Sequence, residues 1–263
     1  MYLLESKAVK LKPSIVIVGF YFGNDLADAF ARVYSKDYFK QFRTSEFAAN
    51  SDNEGIGQIV SDNGGILGSV RYTLSRHSVL YRSAMLAFGD SLRFTEMKYT
   101  NSPDITVFDA PSLGIRTGFT PIAISSVLNL NDPTIREGLR LTLDLFEQMK
   151  GFCDARAIRF YVVLLPTKES VFSRYIDSAD FQLPNQAAIH AVIESEGQVK
   201  NLMTGYFKEH DIDFIDVAKP LAAAVGSQQI YPENADVHPN KYGYQIIAKT
   251  IGVRLQSENR RPE

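Results

Sequence analysis

Two nearly uninterrupted apolar runs constrain this chain more than any other feature: Ile15-Val16-Ile17-Val18-Gly19 and Ile158-Arg159-Phe160-Tyr161-Val162-Val163-Leu164-Leu165. A strand that shows one face to water alternates apolar and polar residues; these runs are β-branched and aromatic without alternation, the pattern of strands buried on both faces. The approach to the second run is equally informative. Asp132 suits an N-cap and Pro133 the first helical position, and Ile135, Leu139, Leu143, Phe146 and Cys153 then fall on one helical stripe. A helix that delivers the chain to a buried strand is part of a parallel crossover. A second helix, roughly Gln186 to Glu209, leads to Ile212-Asp213-Phe214-Ile215-Asp216, and a closing helix from about Lys241 to Leu255 carries Tyr244, Ile247, Ile251 and Leu255 on one face. Strand and helix alternating in this way predict an α/β fold with a parallel sheet and right-handed crossovers.

The stretch between the two runs is different. From about Thr44 to Gly68 the sequence turns to Ser, Asp, Asn and Gly, with Asp62-Asn63-Gly64-Gly65 as a breaker, which predicts a surface loop. Val70, Leu74, Tyr81, Met85, Phe88 and Leu92 recur at helical spacing and predict an amphipathic helix ending near Phe94. Residues 98 to 128 are rich in turn formers, with Ile105-Thr106-Val107-Phe108 as a small strand. Residues 30 to 128 therefore read as a mostly helical and loop insertion within one domain spanning 1 to 263, a length that can bury a substantial core.

Composition removes several function classes. A formal charge of -2, with lysines and arginines scattered, gives no basic footprint for nucleic acid. Cys153 is the only cysteine, so an intrachain disulfide and a thiolate metal cluster from this chain alone are both excluded, and a core thiol is expected. No apolar run approaches the roughly 18 residues of a membrane span, and the first residues lack the basic and apolar regions of an export signal.

Two short motifs carry the chemistry. Gly23-Asn24-Asp25 follows the first apolar run, and Asp236-Val237-His238-Pro239-Asn240 precedes the last helix. Each sits at a strand end or on the turn beyond it, so both converge on one end of a parallel sheet, where α/β enzymes keep their chemistry. His238 on such a turn can act as a base near neutral pH, or simply lie on the surface, with Asp236 and Asn240 as turn and cap residues. Asn24 or Asp25 can cap the helix that follows. In Pro166-Thr167-Lys168-Glu169, Lys168 could meet an anionic substrate, or Thr167 could be an N-cap with Glu169 in the first turn. Ser91, in Gly89-Asp90-Ser91-Leu92, is a poor nucleophile: no apolar strand precedes it, and Phe88 and Leu92 continue a helical stripe. No Gly-x-Ser-x-Gly elbow occurs, Gly55-Ile56-Gly57 lacks the third glycine of a dinucleotide site, and His77, His190 and His210 lack metal-ligand spacing.

Taken in order, Lys12 to Asp25, Asp132 to Leu139, Leu164 to Glu169 and the Asp236 to Asn240 block resemble the SGNH, or GDSL-like, esterase and lipase superfamily. The resemblance implies a three-layer, flavodoxin-like α/β/α fold with strand order 2-1-3-4-5. It also implies hydrolysis of carboxylic esters, of small molecules or glycans, through Ser-His-Asp chemistry without metal or organic cofactor. His238 would be base then acid, Asp236 its orienting partner and Asn24 an oxyanion donor, although here one residue separates Asp and His where many members have two. The family's Gly-Asp-Ser block on its first strand and the Gly block on its second have no counterpart ahead of Asn24, since Tyr2-Leu3-Leu4-Glu5-Ser6 looks like the helix entering the third strand. The expectation is an N-terminally truncated fold, with any export signal upstream. Ile15 to Val18 would then line an exposed sheet edge open to self-association. The alternative is a non-catalytic remnant or binding module of the same fold.

Overall fold

The computed structural model describes residues 1–48, 94–95, 97–98, 104–178 and 183–258. The long apolar runs become the sheet. β1 (Ile15–Tyr21), β4 (Arg159–Leu165) and β5 (Asp213–Asp216) form a three-stranded parallel sheet in the order β1-β4-β5, with Ile15 opposite Arg159 and Tyr161 opposite Asp213. β2 (Thr106–Ala110) and β3 (Ile115–Phe119) form a separate antiparallel hairpin. The helices are α1 (Tyr2–Ser6), α2 (Asp25–Ser35), α3 (Ser45–Ala48), α4 (Pro121–Leu128), α5 (Pro133–Asp154), α6 (Lys168–Ile176), α7 (Gln186–Glu209), α8 (Ala218–Ala224) and α9 (Lys241–Glu258).

β4 explains why the sheet is central. Phe160, Val162 and Leu164 belong to one buried cluster with Ile124 and Leu128 of α4, Ile135, Phe146 and Cys153 of α5, and Val199 and Met203 of α7. Tyr161 and Val163, pointing the other way as the pleat requires, belong to a second cluster with the hairpin's Phe108 and Phe119, Phe172 of α6, Leu221 of α8 and Ile247 of α9. Both faces of β4 are thus dry, and each fully buried Val or Leu contributes about 1.5–3 kcal/mol from its removal from water. The expected core thiol is there: Cys153 is free and fully buried.

α5 starts as its sequence predicts. The Asp132 carboxylate accepts the Thr134 N–H at 2.8 Å and Pro133 occupies the first turn. It also has a second packed side that the single stripe does not reveal. A Cβ on Gly138 would lie 2.1 Å from the Leu26 carbonyl, so α2 rests directly on the α5 backbone there. Glu137, buried beside it, accepts from the Tyr34 hydroxyl at 2.9 Å and pairs with Arg140 at 2.7 Å.

The hairpin and α4, within the segment read as an insertion, contribute Phe108, Phe119, Ile124 and Leu128 to the two clusters. The expected strand at 105–108 lies one residue further on, at Thr106–Ala110. The expected α9 stripe is corrected at one position: Tyr244 is 51% exposed, while Ile247 is buried. Asp62 to Gly65, Gly55 to Gly57, His77, Ser91 and the helix expected from Val70 fall outside the described residues, except for Phe94 at its end.

The two edges of the sheet are unlike. β5 is short and charged. β1 is seven residues of Ile, Val, Gly, Phe and Tyr, pairs with β4 on one side, and has no described strand on the other. The Ser14 carbonyl accepts from Arg159 N–H and the Phe22 N–H donates to Leu165 carbonyl, so alternation turns the backbone of residues 15, 17, 19 and 21 to the open side. Ile17 is 41% exposed.

Candidate functional site

β1 ends in Tyr21, and the chain then turns through Gly23. The turn needs a glycine because the Tyr21 ring lies where a side chain would begin, 2.3 Å from the position of a Cβ. From there the buried ring meets the C-terminal motif: its centroid is 5.5 Å from that of His238, and its hydroxyl donates to the Val237 carbonyl at 3.5 Å. The two motifs therefore meet at the C-terminal end of the sheet, joined through Tyr21.

The Asp236–His238 pair is built by local geometry. Asp236 Oδ1 accepts the His238 backbone N–H at 3.0 Å and lies 3.0 Å from His238 Nδ1. A single intervening residue is thus sufficient, because the turn that the carboxylate makes with its own backbone also folds the imidazole onto it. With the proton on Nδ1 facing the carboxylate, Nε2 is left as an acceptor on a side chain 58% exposed. Partial burial works to raise the Asp236 carboxyl, but the backbone and ring hydrogen bonds from His238, helped by the charges of His238 and Lys168, hold it below the usual carboxylate range.

Asn24 occupies the N-cap position of α2 without making a side-chain cap; its exposed amide donates to Asp28 Oδ2 at 3.2 Å. Asp25 instead closes the end of β1, accepting the Tyr21 N–H at 2.7 Å. Burial pushes the Asp25 carboxyl up, against that hydrogen bond and the charge of His238. Among the described residues every hydrogen bond of His238 goes to Asp236, and none goes to a serine hydroxyl.

Beneath this surface lies a group of ionisable side chains that sequence reasoning missed or misread. Thr167 is an N-cap, accepting from Ser170 N–H at 3.3 Å. Lys168 does not face a substrate: it is fully buried, and its Nζ donates to Thr117 Oγ1 at 3.0 Å and to the Gly118 and Asn234 carbonyls at 3.1 Å each. Burial lowers its ammonium to about 8, despite the nearby Glu169 and Asp236. Glu196 receives Thr167 N–H at 2.9 Å, Thr167 Oγ1 at 2.5 Å and Ser170 Oγ at 2.7 Å, yet burial still raises its carboxyl to about 7. Burial also raises Glu169, Tyr21 and Tyr231. Glu169 Oε2 and the Tyr231 hydroxyl are buried without a hydrogen-bond partner among the described protein atoms. The available sequence signal was position: all of these residues but Glu196 and Tyr231 sit within four residues of the C-terminal end of β1 or β4.

Two cavities lie elsewhere. One of about 840 Å³ runs along β5 and α9 beside Phe214, Val253 and Arg254, and one of about 470 Å³ lies by Ile158 and Asp154 at the start of β4. Two of their charged pairs are Arg254 with Asp213 at 3.5 Å and Lys150 with Asp154 at 2.5 Å. His190 and His210 likewise face single carboxylates, Asp177 at 3.5 Å and Glu147 at 3.2 Å. Among the described residues no three His, Cys, Asp or Glu side chains gather to hold a metal ion, and no helix is long and apolar enough to cross a membrane. Comparison with models of known families, with curated proteins and with solved structures finds no match to this chain.

Proposed function

We propose that this chain is a hydrolase of the SGNH or GDSL-like type, with a flavodoxin-like three-layer fold, acting on carboxylic esters of small molecules or glycans. The observation that carries the reading is the Asp236–His238 pair, with Nε2 unclaimed at the same sheet end as Asn24. The nucleophile in this reading is a serine on a strand running parallel to β1 along its open side, which would bring that strand's C-terminal end beside Tyr21. His238 Nε2 takes the serine proton as Oγ adds to the ester carbonyl, and Asn24, released from Asp28, donates to the oxyanion. Collapse expels the alcohol, which takes the proton back from His238. Water then cleaves the acyl-serine by the same route. Ser91 has no role in this scheme.

A binding module without turnover is the second reading, favoured by one observation: no described serine hydroxyl reaches His238. The test uses the polypeptide encoded by the whole reading frame, assayed on short-chain p-nitrophenyl esters and with a fluorophosphonate probe whose site is read by mass spectrometry. Hydrolysis predicts one labelled serine, and turnover that falls with His238→Ala. Turnover indifferent to His238 sinks the assignment, and absence of both label and turnover selects the binding module. Size-exclusion chromatography of the same samples reports the competing use of the β1 edge, self-association.

A further inference from the structure

The catalytic pairing proposed above needs Asp236 fixed, and Asp236 lies on a loop that is nearly half exposed on its own side chain. What fixes it is one residue, Asn234. Its carbonyl accepts from Gly118 N–H at 3.0 Å and from Lys168 Nζ at 3.1 Å, and stands 3.4 Å from Thr117 Oγ1. Its side-chain Oδ1 accepts the Asp236 N–H at 2.7 Å. Thr117 Oγ1 also donates to the Pro232 carbonyl at 3.2 Å.

We infer that Lys168 is a positioning residue for the Asp236–His238 pair, acting through Asn234. Three elements distant in sequence are tied by its ammonium: the first turn of α6, the β3 strand and the 232–236 loop. An ammonium has three protons, and here each has one oxygen acceptor, while the Tyr231 ring lies 5.4 Å from Nζ. A side chain fully engaged in this way has no proton left for a ligand, which accounts for its place under the site rather than in it. Because Asn234 binds Lys168 through its carbonyl and Asp236 through its amide oxygen, a shift of the loop backbone moves both bonds together. Asp236 then loses the angle at which Oδ1 meets the backbone and the ring of His238.

This inference rests on the functional reading only in calling the pair catalytic; the test does not use catalysis. The readout is the imidazole tautomer of His238, from ¹⁵N shifts in long-range ¹H–¹⁵N spectra. The intact protein should show the Nδ1–H form, and Asp236→Asn should weaken that preference, which calibrates the signal. Lys168→Met should shift His238 toward the Nε2–H form favoured by a free imidazole, while amide shifts of α5 and α7 stay in place. Asn234→Ala keeps the carbonyl for Lys168 and removes only the bond to Asp236, so it decides the matter if Lys168→Met does not fold. It should give the same shift. A folded Lys168→Met protein, or an Asn234→Ala protein, with the native tautomer population overturns the proposal, whatever the esterase assay shows.

Discussion

The two ends of the parallel sheet differ in what lines them. Where β4 and β5 begin, the molecule has room, in cavities of about 840 and 470 Å³, but their walls carry ordinary surface pairs such as Arg254 with Asp213 and Lys150 with Asp154. Where β1 and β4 end, Tyr21, Lys168, Glu169, Glu196 and Tyr231 are buried together beneath Asp236 and His238. Burying charge costs free energy, and several ionisable groups held in one place against that cost mark a candidate site. The direction of the strands gives the reason: at their C-terminal ends they hand over to loops and helix N-termini, which can aim backbone and side chains at one point.

The sharpest way to break this contrast is to remove one side chain from each end. If the proposed hydrolase reading holds, His238→Ala should lower turnover of p-nitrophenyl esters by about 10³-fold or more, as loss of a triad base does elsewhere. Arg254→Ala, in the large groove, should leave turnover within experimental scatter. Equal effects at both ends would erase the distinction.

Stability against pH probes the same contrast with no substrate. Burial raises the Glu196 carboxyl from 4.5 to about 7 in the folded protein. Between those values the folded chain binds a proton that the unfolded chain has released, so the slope of stability with pH is negative there. The contribution is fully present below 4.5, is lost as pH rises through 7, and amounts to roughly 3 kcal/mol. Glu196→Gln should remove that slope, read as urea midpoints from pH 4.5 to 7.5; an unchanged slope would mean that the carboxylate is solvated in solution. No carboxyl lining the groove at the other end is buried in this way.

A third test concerns the ring that joins the two motifs. Gly23→Ala puts a methyl 2.3 Å from the Tyr21 ring, which must swing away from His238 or strain the turn. The expected cost is about 1–3 kcal/mol, as for other overpacked sites. It should appear as a lower urea midpoint and a displaced His238 resonance. A neutral Gly23→Ala would show that Tyr21 does not hold the loop.

Much of this architecture is legible in the residues. Asp132-Pro133 marks the start of α5 because capping is local, and the Ile158 to Leu165 run yields β4 because burial on both faces removes alternation. Asp236 and His238 are visible because their pairing needs only a turn. What stays hidden depends on distant chain. Lys168 reads as a lysine at a helix start or beside an anionic substrate until a hairpin some 50 residues earlier supplies its acceptors. Tyr21 reads as one more apolar residue, since its partner Val237 is 216 positions away. The second face of α5 escapes for the same reason: Gly138 and Glu137 break its stripe, and only α2 lying across them explains why both are buried.

The smallest expected effect comes from the roomy end and has the opposite sign. Gly252 lies within α9 next to Val253 and Arg254 of the large groove, and a Cβ there would meet no heavy atom within 4 Å. Its backbone is helical, so alanine fits without strain and reduces the freedom of the unfolded chain. Gly252→Ala should therefore stabilise by about 0.5–1 kcal/mol, seen as a higher urea midpoint at unchanged slope. Gly23 has a ring where its Cβ would be, whereas Gly252 borders open space; the same substitution thus separates a packed position from an open one. A destabilised Gly252→Ala protein would place something against α9 and make the groove a second candidate site.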